Sequence, residues 1–346
     1  MSFTITLTPS GKSFRCASDS ELLKAGLDQG IALRYSCRSG VCRTCRARRT
    51  AGDVDHGPVN PNYLSEAEKR EGWVHLCCAR PLSDCVFEAA EIDIRLTPAR
   101  TFPVRVLQAN RLAADVMQLI LGLPPNEPLR FSPGQYVDIL LPDGARRSYS
   151  IATAPTIEGV RQVELHIRHM PGGRFTDHVF DALKLRDLQR VEAPQGSFFL
   201  DEASTRPMIL LVSGTGFAPI KSMVEYCIGR NIRRPMHLYW GGRRRPDLYL
   251  HTLAGQWARE HSHIRYVPVL SDAGPGCEWH GRTGLVHKAV LEDLPVLSAY
   301  QVYACGAPAM VAAARRDFGA TAALPDSQFF ADAFISQADI ARSASA

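Results

Sequence analysis

Three cysteines carry the chemistry nearest the start of this chain. Cys37, Cys42 and Cys45 stand in a C-x4-C-x2-C pattern inside the loop from Tyr35 to Arg49, and Cys77 follows as a distant fourth thiol. Thiols this dense in a glycine-bearing loop form either a metal site or a disulfide knot. The stretch MSFTITLTPSGKSFRC lacks the basic-then-apolar order of an export signal, and no apolar run approaches the ~18 residues that span a bilayer. Ten cysteines among 346 residues then belong in a reducing, cytoplasmic setting, where metal ligation or plain burial outweighs cross-linking. Structural zinc sites pair two short knuckles, whereas the second half here offers only adjacent Cys77 and Cys78, which cannot both reach one tetrahedral ion easily. The spacing of Cys37, Cys42 and Cys45, with Cys77 as a distant fourth thiol and Cys78 next to it as the alternative, is that of a [2Fe-2S] site. Gly40 lets the loop fold tightly enough for its N–H groups to face the cluster sulfurs.

The elements around the loop agree. FTITL and SFRC alternate about the turn residues TPSGK as a hairpin. SDSELLKAGLDQG carries a capping box from Ser18 to Glu21, a short helix and Gly30 at its end. With that order of hairpin, helix and cysteine loop, residues 1–93 resemble a plant-type ferredoxin domain, which implies a β-grasp fold. Two positions depart from the family pattern: Arg43 stands where relatives often have Gly or Ser, and Cys78 where many have Gln. VHLCCARP matches the family's Leu-x-Cys-Gln segment, which implies Cys77 as the last ligand. Six arginines, 34, 38, 43, 46, 48 and 49, rim the loop. They form either a solvated basic face or a surface that steers an acidic electron acceptor.

Beyond a polar stretch, residues 94–101, short alternating strands separated by Pro, Gly and Asp suggest an antiparallel barrel. Arg147 and Tyr149 share one face of a strand, so one can pair with a phosphate while the other lies along a flat cofactor. Further on, Gly172-Gly173 precede Thr176 and a helical run, a turn whose N–H groups and hydroxyl suit a pyrophosphate. Either motif alone reads equally as an ordinary strand or loop. Together they resemble the ferredoxin reductase superfamily, which implies FAD. By that resemblance Arg147 and Thr176 hold the pyrophosphate, Tyr149 packs on the isoalloxazine and Ser150 lies near its reactive nitrogen. His166, Ile167 and Arg168 fall on the second flavin strand.

From about Arg206 the pattern changes to apolar strand, glycine turn and helix, the order of a parallel sheet with helices on both faces. One such strand ends in Gly214-Thr215-Gly216, with Pro219 at a helix start where its missing N–H costs nothing. The turn lacks the third glycine of a dinucleotide fingerprint. Its sequels, YWGGRRRPDLYL and Cys305-Gly306-Ala-Pro-Ala-Met310, occur in the order of the superfamily's nicotinamide domain. The resemblance implies a pyridine nucleotide across the Gly214 turn, with the nicotinamide beside Cys305 and with Arg243 and Asp247 in the binding loop. The nucleotide expected is NADH, with NADPH as the alternative because of Arg243, Arg244 and Arg245. FFADAF at residues 329–334 supplies aromatic core, or a ring near the flavin.

The expected fold is a multidomain α+β chain: a β-grasp ferredoxin domain (1–93), a linker (94–101), an antiparallel β-barrel FAD domain (102–203), an α/β parallel-sheet nucleotide-binding domain (204–335) and a disordered tail (336–346). A formal charge of +5 and a hydrophobic fraction of 45% call for neither nucleic acid nor membrane. The chain resembles the NAD(P)H reductase component of bacterial multicomponent oxygenases of aromatic degradation. That implies an oxygenase partner, Rieske or di-iron, with an acidic docking face. The same motifs fit the reductase partner of a CDP-deoxysugar dehydratase almost as well, and a flavin and iron–sulfur redox sensor is the reading from another class.

Overall fold

The structure, a computed structural model, describes residues 1–89, 91–92, 97–274 and 277–334. The expected ends at 93 and 335, residues 94–96 of the linker and the tail 336–346 lie outside the described residues. Two units emerge. One takes in the described residues up to 92 together with 196–198 and 332–334, and the other takes in 97–195 and 199–331.

In the first unit, β1 (Ser2–Thr8) and β2 (Ser13–Ala17) form the expected hairpin, followed by α1 (Leu22–Asp28), β3 (Arg46–Ala51), β4 (Val54–Asp55), α2 (Glu66–Arg70), β5 (Trp73–His75), β6 (Arg80–Pro81) and β7 (Cys85–Glu88). The five-stranded sheet runs β2-β1-β7-β3-β5, with β1 and β7 parallel and the other pairs antiparallel. Alternation buries Ile5, Leu7, Phe14 and Phe87 on one face. Helix α1 lies close on that face, since a Cβ on Gly26 would stand 2.9 Å from Leu33 and 3.3 Å from Phe14.

The expected capping box from Ser18 to Glu21 does not form. Glu21 is the N-cap without a side-chain bond, and the chain spends Ala17 to Ser20 on a turn. The N–H groups at the helix start have backbone partners instead: Leu22 donates to the Ala79 carbonyl and Leu23 to that of Leu76, both at 2.9 Å. The helix N-terminus thus clasps the segment that carries Cys77 and Cys78, and a side-chain cap is superfluous. A complete capping box sits elsewhere, at Ser65 and Glu68 on α2.

The second unit begins with β8 (Arg100–Ala113), which already includes the last two residues of the expected linker. Next come β9 (Val116–Gly122), β10 (Tyr136–Leu140), β11 (Arg146–Ser150), β12 (Gln162–Arg168), α3 (Arg174–Asp181) and β13 (Leu188–Gln195). These strands form an antiparallel sheet in the order β11-β10-β13-β8-β9-β12. Its two edges meet: Ile151 bridges Leu165, and the Ala152 N–H donates to the Glu164 carbonyl at 2.8 Å. Leu119, Leu121, Val137, Ile139, Val163 and Leu165 fill the enclosed core.

The same unit continues with β14 (Met208–Ser213), α4 (Phe217–Gly229), β15 (Met236–Gly242), α5 (His251–Glu260), β16 (Ile264–Leu270), β17 (Arg282–Thr283), α6 (Val286–Asp293), β18 (Gln301–Gly306), α7 (Pro308–Ala322) and β19 (Phe329–Ala333). The sheet order is β17-β16-β15-β14-β18-β19, and the strands from β17 through β18 pair in parallel. Residues 208–212 of β14 are almost wholly buried, as a central strand covered on both faces must be. From β14 the chain winds out to β17 and returns to β18 on the other side, so the carboxyl ends of β14 and β18 flank the point where strand order reverses. Open α/β sheets bind ligands at that point.

Ser65→Ala removes the cap of α2 and is expected to cost about 1 kcal/mol of local stability. Hydrogen exchange at the α2 amides reads this directly; unchanged exchange contradicts the assignment.

Candidate functional site

The cysteine loop runs from Tyr35 to Cys45 without helix or strand. Its backbone enters the left-handed region three times, at Arg38 (φ 53°), Gly40 (75°) and Arg43 (62°). Two of those positions carry side chains that rarely adopt this geometry, so the loop stores strain in order to turn inward. Gly40 has a second reason to be glycine: a Cβ there would lie 2.9 Å from Cys78 Sγ and 3.2 Å from Val59. The Gly40 carbonyl is bonded by His75 Nδ1 from β5 at 2.8 Å.

The four thiols fall into two pairs, Cys37 with Cys42 inside the loop and Cys45 with the distant Cys77. Cys37 Sγ accepts the N–H groups of Ser39 and Cys42, each at 3.4 Å. The hydrogen bond from the Cys42 thiol, helped by those amides, holds Cys37 down to about 5 against its burial. Cys42 is pushed well up, by its bond to Cys37 and by burial. Cys77 is likewise raised by its hydrogen bond to Cys45, and its sulfur lies 3.6 Å from that of Cys78. Among the described residues no three His, Cys, Asp or Glu side chains form a ready cage for a single ion. Two thiol pairs, with N–H donors already aimed at one sulfur, fit a two-iron cluster with two thiolates on each iron.

The arginine rim is partly neutralised. Arg43 and Arg46 both pair with Glu68, Arg46 also lies 3.8 Å over the Trp73 ring, and Arg49 pairs with Asp53 at 3.1 Å. The residues before Cys37 are braced by partners that nothing in the local sequence announces. The Tyr35 N–H donates to Ser197 Oγ at 2.6 Å, the Gly196 N–H donates to the Tyr35 hydroxyl at 2.9 Å, and Ser36 bonds Asp332.

In the second unit, β11 alternates as expected, with Arg147 and Tyr149 on one face and Ser150 buried beside them. Tyr149 packs on Phe175 at 5.5 Å, and burial raises its phenol. Gly172 (φ 80°) turns the chain into α3, whose N-cap is Gly173. A Cβ on Gly173 would meet the Met170 carbonyl at 2.7 Å. Thr176 Oγ1 donates to that carbonyl at 2.9 Å and accepts the Met170 N–H at 3.2 Å, so its hydroxyl ties the turn that it also lines.

The glycine turn after β14 meets the end of β18. A Cβ on Gly216 would stand 2.3 Å from the Cys305 carbonyl, and one on Gly306 (φ 131°) would stand 2.4 Å from that of Ser213. The Ala307 N–H donates to Ser213 Oγ at 2.8 Å. Cys305 is fully buried, Pro219 is buried in the first turn of α4, and Met310 is half-buried on α7. Arg168 reaches over the turn, with Nη1 3.4 Å from where a Gly214 Cβ would be. Its Nε and Nη2 are buried without a hydrogen bond, although Asp115 and Asp247 lie at 3.4 and 3.9 Å. Asp247 folds the arginine loop by accepting the N–H groups of Arg243 and Arg244 at 2.8 and 3.3 Å, and the Arg243 side chain stays exposed.

Arg168, Gly214 and Asp247 therefore meet, as do the Gly214–Gly216 turn and the Cys305–Gly306 strand end. The His166 ring does not join them. It is buried between Glu164 (2.8 Å) and the Tyr249 hydroxyl (2.9 Å), and the Ile167 side chain is core. Glu164 also accepts from Gln118 at 2.8 Å and Lys221 at 3.0 Å. Burial favours the neutral Glu164, yet the His166 hydrogen bond and the Lys221 charge outweigh it and hold the carboxyl down to about 2. Burial pushes His166 below its usual range. Sequence reasoning missed this network because its members lie on β9, β12, α4 and the loop before α5.

Comparison with known proteins places three domain models on the chain: a 2Fe-2S iron-sulfur cluster binding domain over residues 5–82, an oxidoreductase FAD-binding domain over 103–200 and an oxidoreductase NAD-binding domain over 210–316. Among curated relatives, the CDP-6-deoxy-L-threo-D-glycero-4-hexulose-3-dehydrase reductase of Yersinia pestis is 41% identical over 97% of this chain and 99% of its own. The reductase component of phenol 2-monooxygenase from Pseudomonas sp. is 33% identical over 91% and 89%. Among solved structures, the cytochrome P450 reductase GcoB of Amycolatopsis superposes with a TM-score of 0.76 at 34% identity, covering 96% of this chain and 98% of that one.

Two outcomes follow from the geometry. Gly306→Ala must separate the ends of β14 and β18, at a strain of about 1–3 kcal/mol. It is expected to weaken NAD+ binding about tenfold or more with FAD content retained, as measured by fluorescence titration; unchanged affinity contradicts the role of the close approach. Glu164, depressed from 4.5 to about 2, contributes stability that is complete above its unfolded value and lost as pH falls toward 2. The stability gap between the native chain and Glu164→Gln, read by denaturant unfolding, should be level above about pH 5 and shrink below it. A gap that widens on acidification contradicts the pairing.

Proposed function

We propose, from the premise that this chain belongs to the family of NAD(P)H-dependent iron–sulfur flavoprotein reductases in which a 2Fe-2S domain precedes FAD- and NAD-binding domains, that it passes electrons to an oxygenase component. The protein is an oxidoreductase that uses a [2Fe-2S] cluster, FAD and NAD(H). When bound, nicotinamide supplies two electrons as hydride, the cluster takes them singly, and flavin chemistry converts one mode to the other. The observation that carries the reading is the order of the three matched domains on one chain.

The chain's own residues then position and insulate, and the scheme asks for no strong acid or base. In this reading Cys37, Cys42, Cys45 and Cys77 ligate iron, and Cys78 packs beside them. Arg147, with the Gly172–Gly173 turn and Thr176, holds the FAD pyrophosphate; Tyr149 lies along the ring system and Ser150 stands near its reactive edge. His166 and Ile167 contribute through the main chain, because their side chains point elsewhere. Gly214, Thr215, Gly216 and Pro219 form the nucleotide turn, while Arg168, Arg243, Asp247, Gly306 and Met310 surround it and Cys305 borders the nicotinamide. The domains remain assigned as 1–93, 102–203 and 204–335, with a β-grasp sheet in the first and a closed antiparallel barrel in the second.

The acceptor is assigned as a Rieske or di-iron oxygenase component with an acidic docking face, met by the basic rim of the cysteine loop. A CDP-deoxysugar dehydrase is the second reading, and the 41% identity to the Yersinia pestis reductase over 97% of this chain favours it. Both assign the same internal chemistry and differ in the protein that receives the electron. Reconstitution with purified acceptors of each kind separates them. NADH-dependent electron delivery to the cognate protein should fall about tenfold or more between about 50 and 300 mM salt, while ferricyanide reduction changes little. An equal salt response for both acceptors removes the basic rim from docking. A fully cofactor-loaded protein that reduces neither ferricyanide nor cytochrome c defeats the reductase reading and leaves the sensor.

A further inference from the structure

The buried network that the proposed scheme leaves unused lies between the two halves of the second unit. Lys221 sits on α4, the helix that follows the Gly214–Gly216 turn directly. Its Nζ reaches Glu164 on β12 at 3.0 Å, Glu225 at 2.9 Å and the Ala152 carbonyl at 3.4 Å. One residue on, the buried Ser222 donates to the Thr153 carbonyl at 2.8 Å. Ala152 and Thr153 lie two and three residues beyond Ser150, and they are already tied to β12. The Ala152 N–H donates to the Glu164 carbonyl, and the Glu164 N–H donates to Thr153 Oγ1 at 2.8 Å.

A second arm ties the start of α4 and the segment before α5 to the same strand. Tyr249, just past the arginine loop, bonds His166, and His166 bonds the same Glu164 carboxylate. The Tyr249 ring stands edge-on against Phe217, the first residue of α4, with centroids 6.2 Å apart, and against Trp240 at 5.3 Å. Glu164 is thus the shared anchor of two arms that reach α4, the helix directly after the nucleotide turn, one through Lys221 and one through His166, Tyr249 and Phe217. Lys221 has a tenth of its side chain exposed and Glu164 about an eighth. Such a pair is a directional tie between α4 and β12, and removing one partner strands the other charge.

We infer that the Lys221–Glu164 pair, with Ser222 and the His166–Tyr249 arm, is a positioning clamp that fixes the Gly214–Gly216 turn against the Ser150–Thr153 segment and so sets the donor–acceptor distance for hydride transfer. This rests on the reading that Ser150 faces the flavin and that the turn takes the nicotinamide nucleotide. Nothing in the clamp touches the reacting atoms in that scheme. Its effect is on geometry, where a displacement of about 1 Å costs about 100-fold in rate.

The test uses the FAD-loaded chain and stopped-flow bleaching of the flavin by NADH. If the native chain is not bleached, the functional reading fails and the clamp falls with it; if it is bleached, the variants judge the clamp alone. Lys221→Met should slow bleaching at saturating NADH about 10- to 100-fold with a much smaller change in the half-saturating concentration. It should also raise the deuterium isotope effect on that step, and Lys221→Arg should restore both. Independently of turnover, the Ala152 amide should exchange faster in Lys221→Met than in the native chain and recover in Lys221→Arg. Ser222→Ala removes one clasp without stranding a buried charge, so it serves if Lys221→Met does not fold, and it should show the same pattern at smaller amplitude. Native bleaching rates in these variants, or a loss confined to the half-saturating concentration, overturn the clamp.

Discussion

Negative charge on closely spaced sulfurs is the constraint from which the first unit takes its form. Thiols within hydrogen-bonding reach of one another cannot all ionise in a buried loop unless dipoles or cations offset them. The Ser39 and Cys42 amides answer this at Cys37. Left-handed backbone at Arg38, Gly40 and Arg43 is what turns the loop inward to present such amides. Helix α1 gives up an ordinary cap so that its first N–H groups can bond the carbonyls on either side of the Cys77–Cys78 pair. The helix thereby anchors the Cys77–Cys78 segment, and the sheet beneath it fixes the helix.

The second unit solves a different problem, that of bringing two binding surfaces from separate sheets to a defined spacing. Close approach does this at the strand ends, where only glycine fits at positions 216 and 306. Buried charge does it further back, where Glu164 gathers Lys221, His166 and Gln118 around one carboxylate. Arg168 makes a third link, standing over the Gly214 turn near both Asp115 and Asp247.

Much of this was legible in the sequence wherever local pattern sets local structure. The hairpin, α1, the alternation of β11, the turn before α3 and the parallel strands with their glycine turn all follow from periodicity and turn residues. The cysteine spacing announced its own chemistry. What escaped were the partners set by tertiary packing. The Ser18 cap fails because Ala17 to Ser20 close a turn and the helix starts after Glu21, where the Leu22 and Leu23 N–H groups find carbonyls 79 and 76, partners that no local pattern encodes. Ser197 and Asp332 brace Tyr35 and Ser36 from far along the chain. His166 carries a residue type that suggests a site, yet its ring turns inward to bond Glu164 and Tyr249. Glu68 draws in Arg43 and Arg46, so a basic rim counted from sequence is larger than the one that the folded loop presents.

The central claim is that the four thiols hold a two-iron, two-sulfide cluster that forms the exit of an electron path. Iron, zinc and acid-labile sulfide measured on anaerobically purified protein test it most directly. The account predicts about two iron and two labile sulfides per chain with negligible zinc. Stoichiometric zinc without labile sulfide would contradict it.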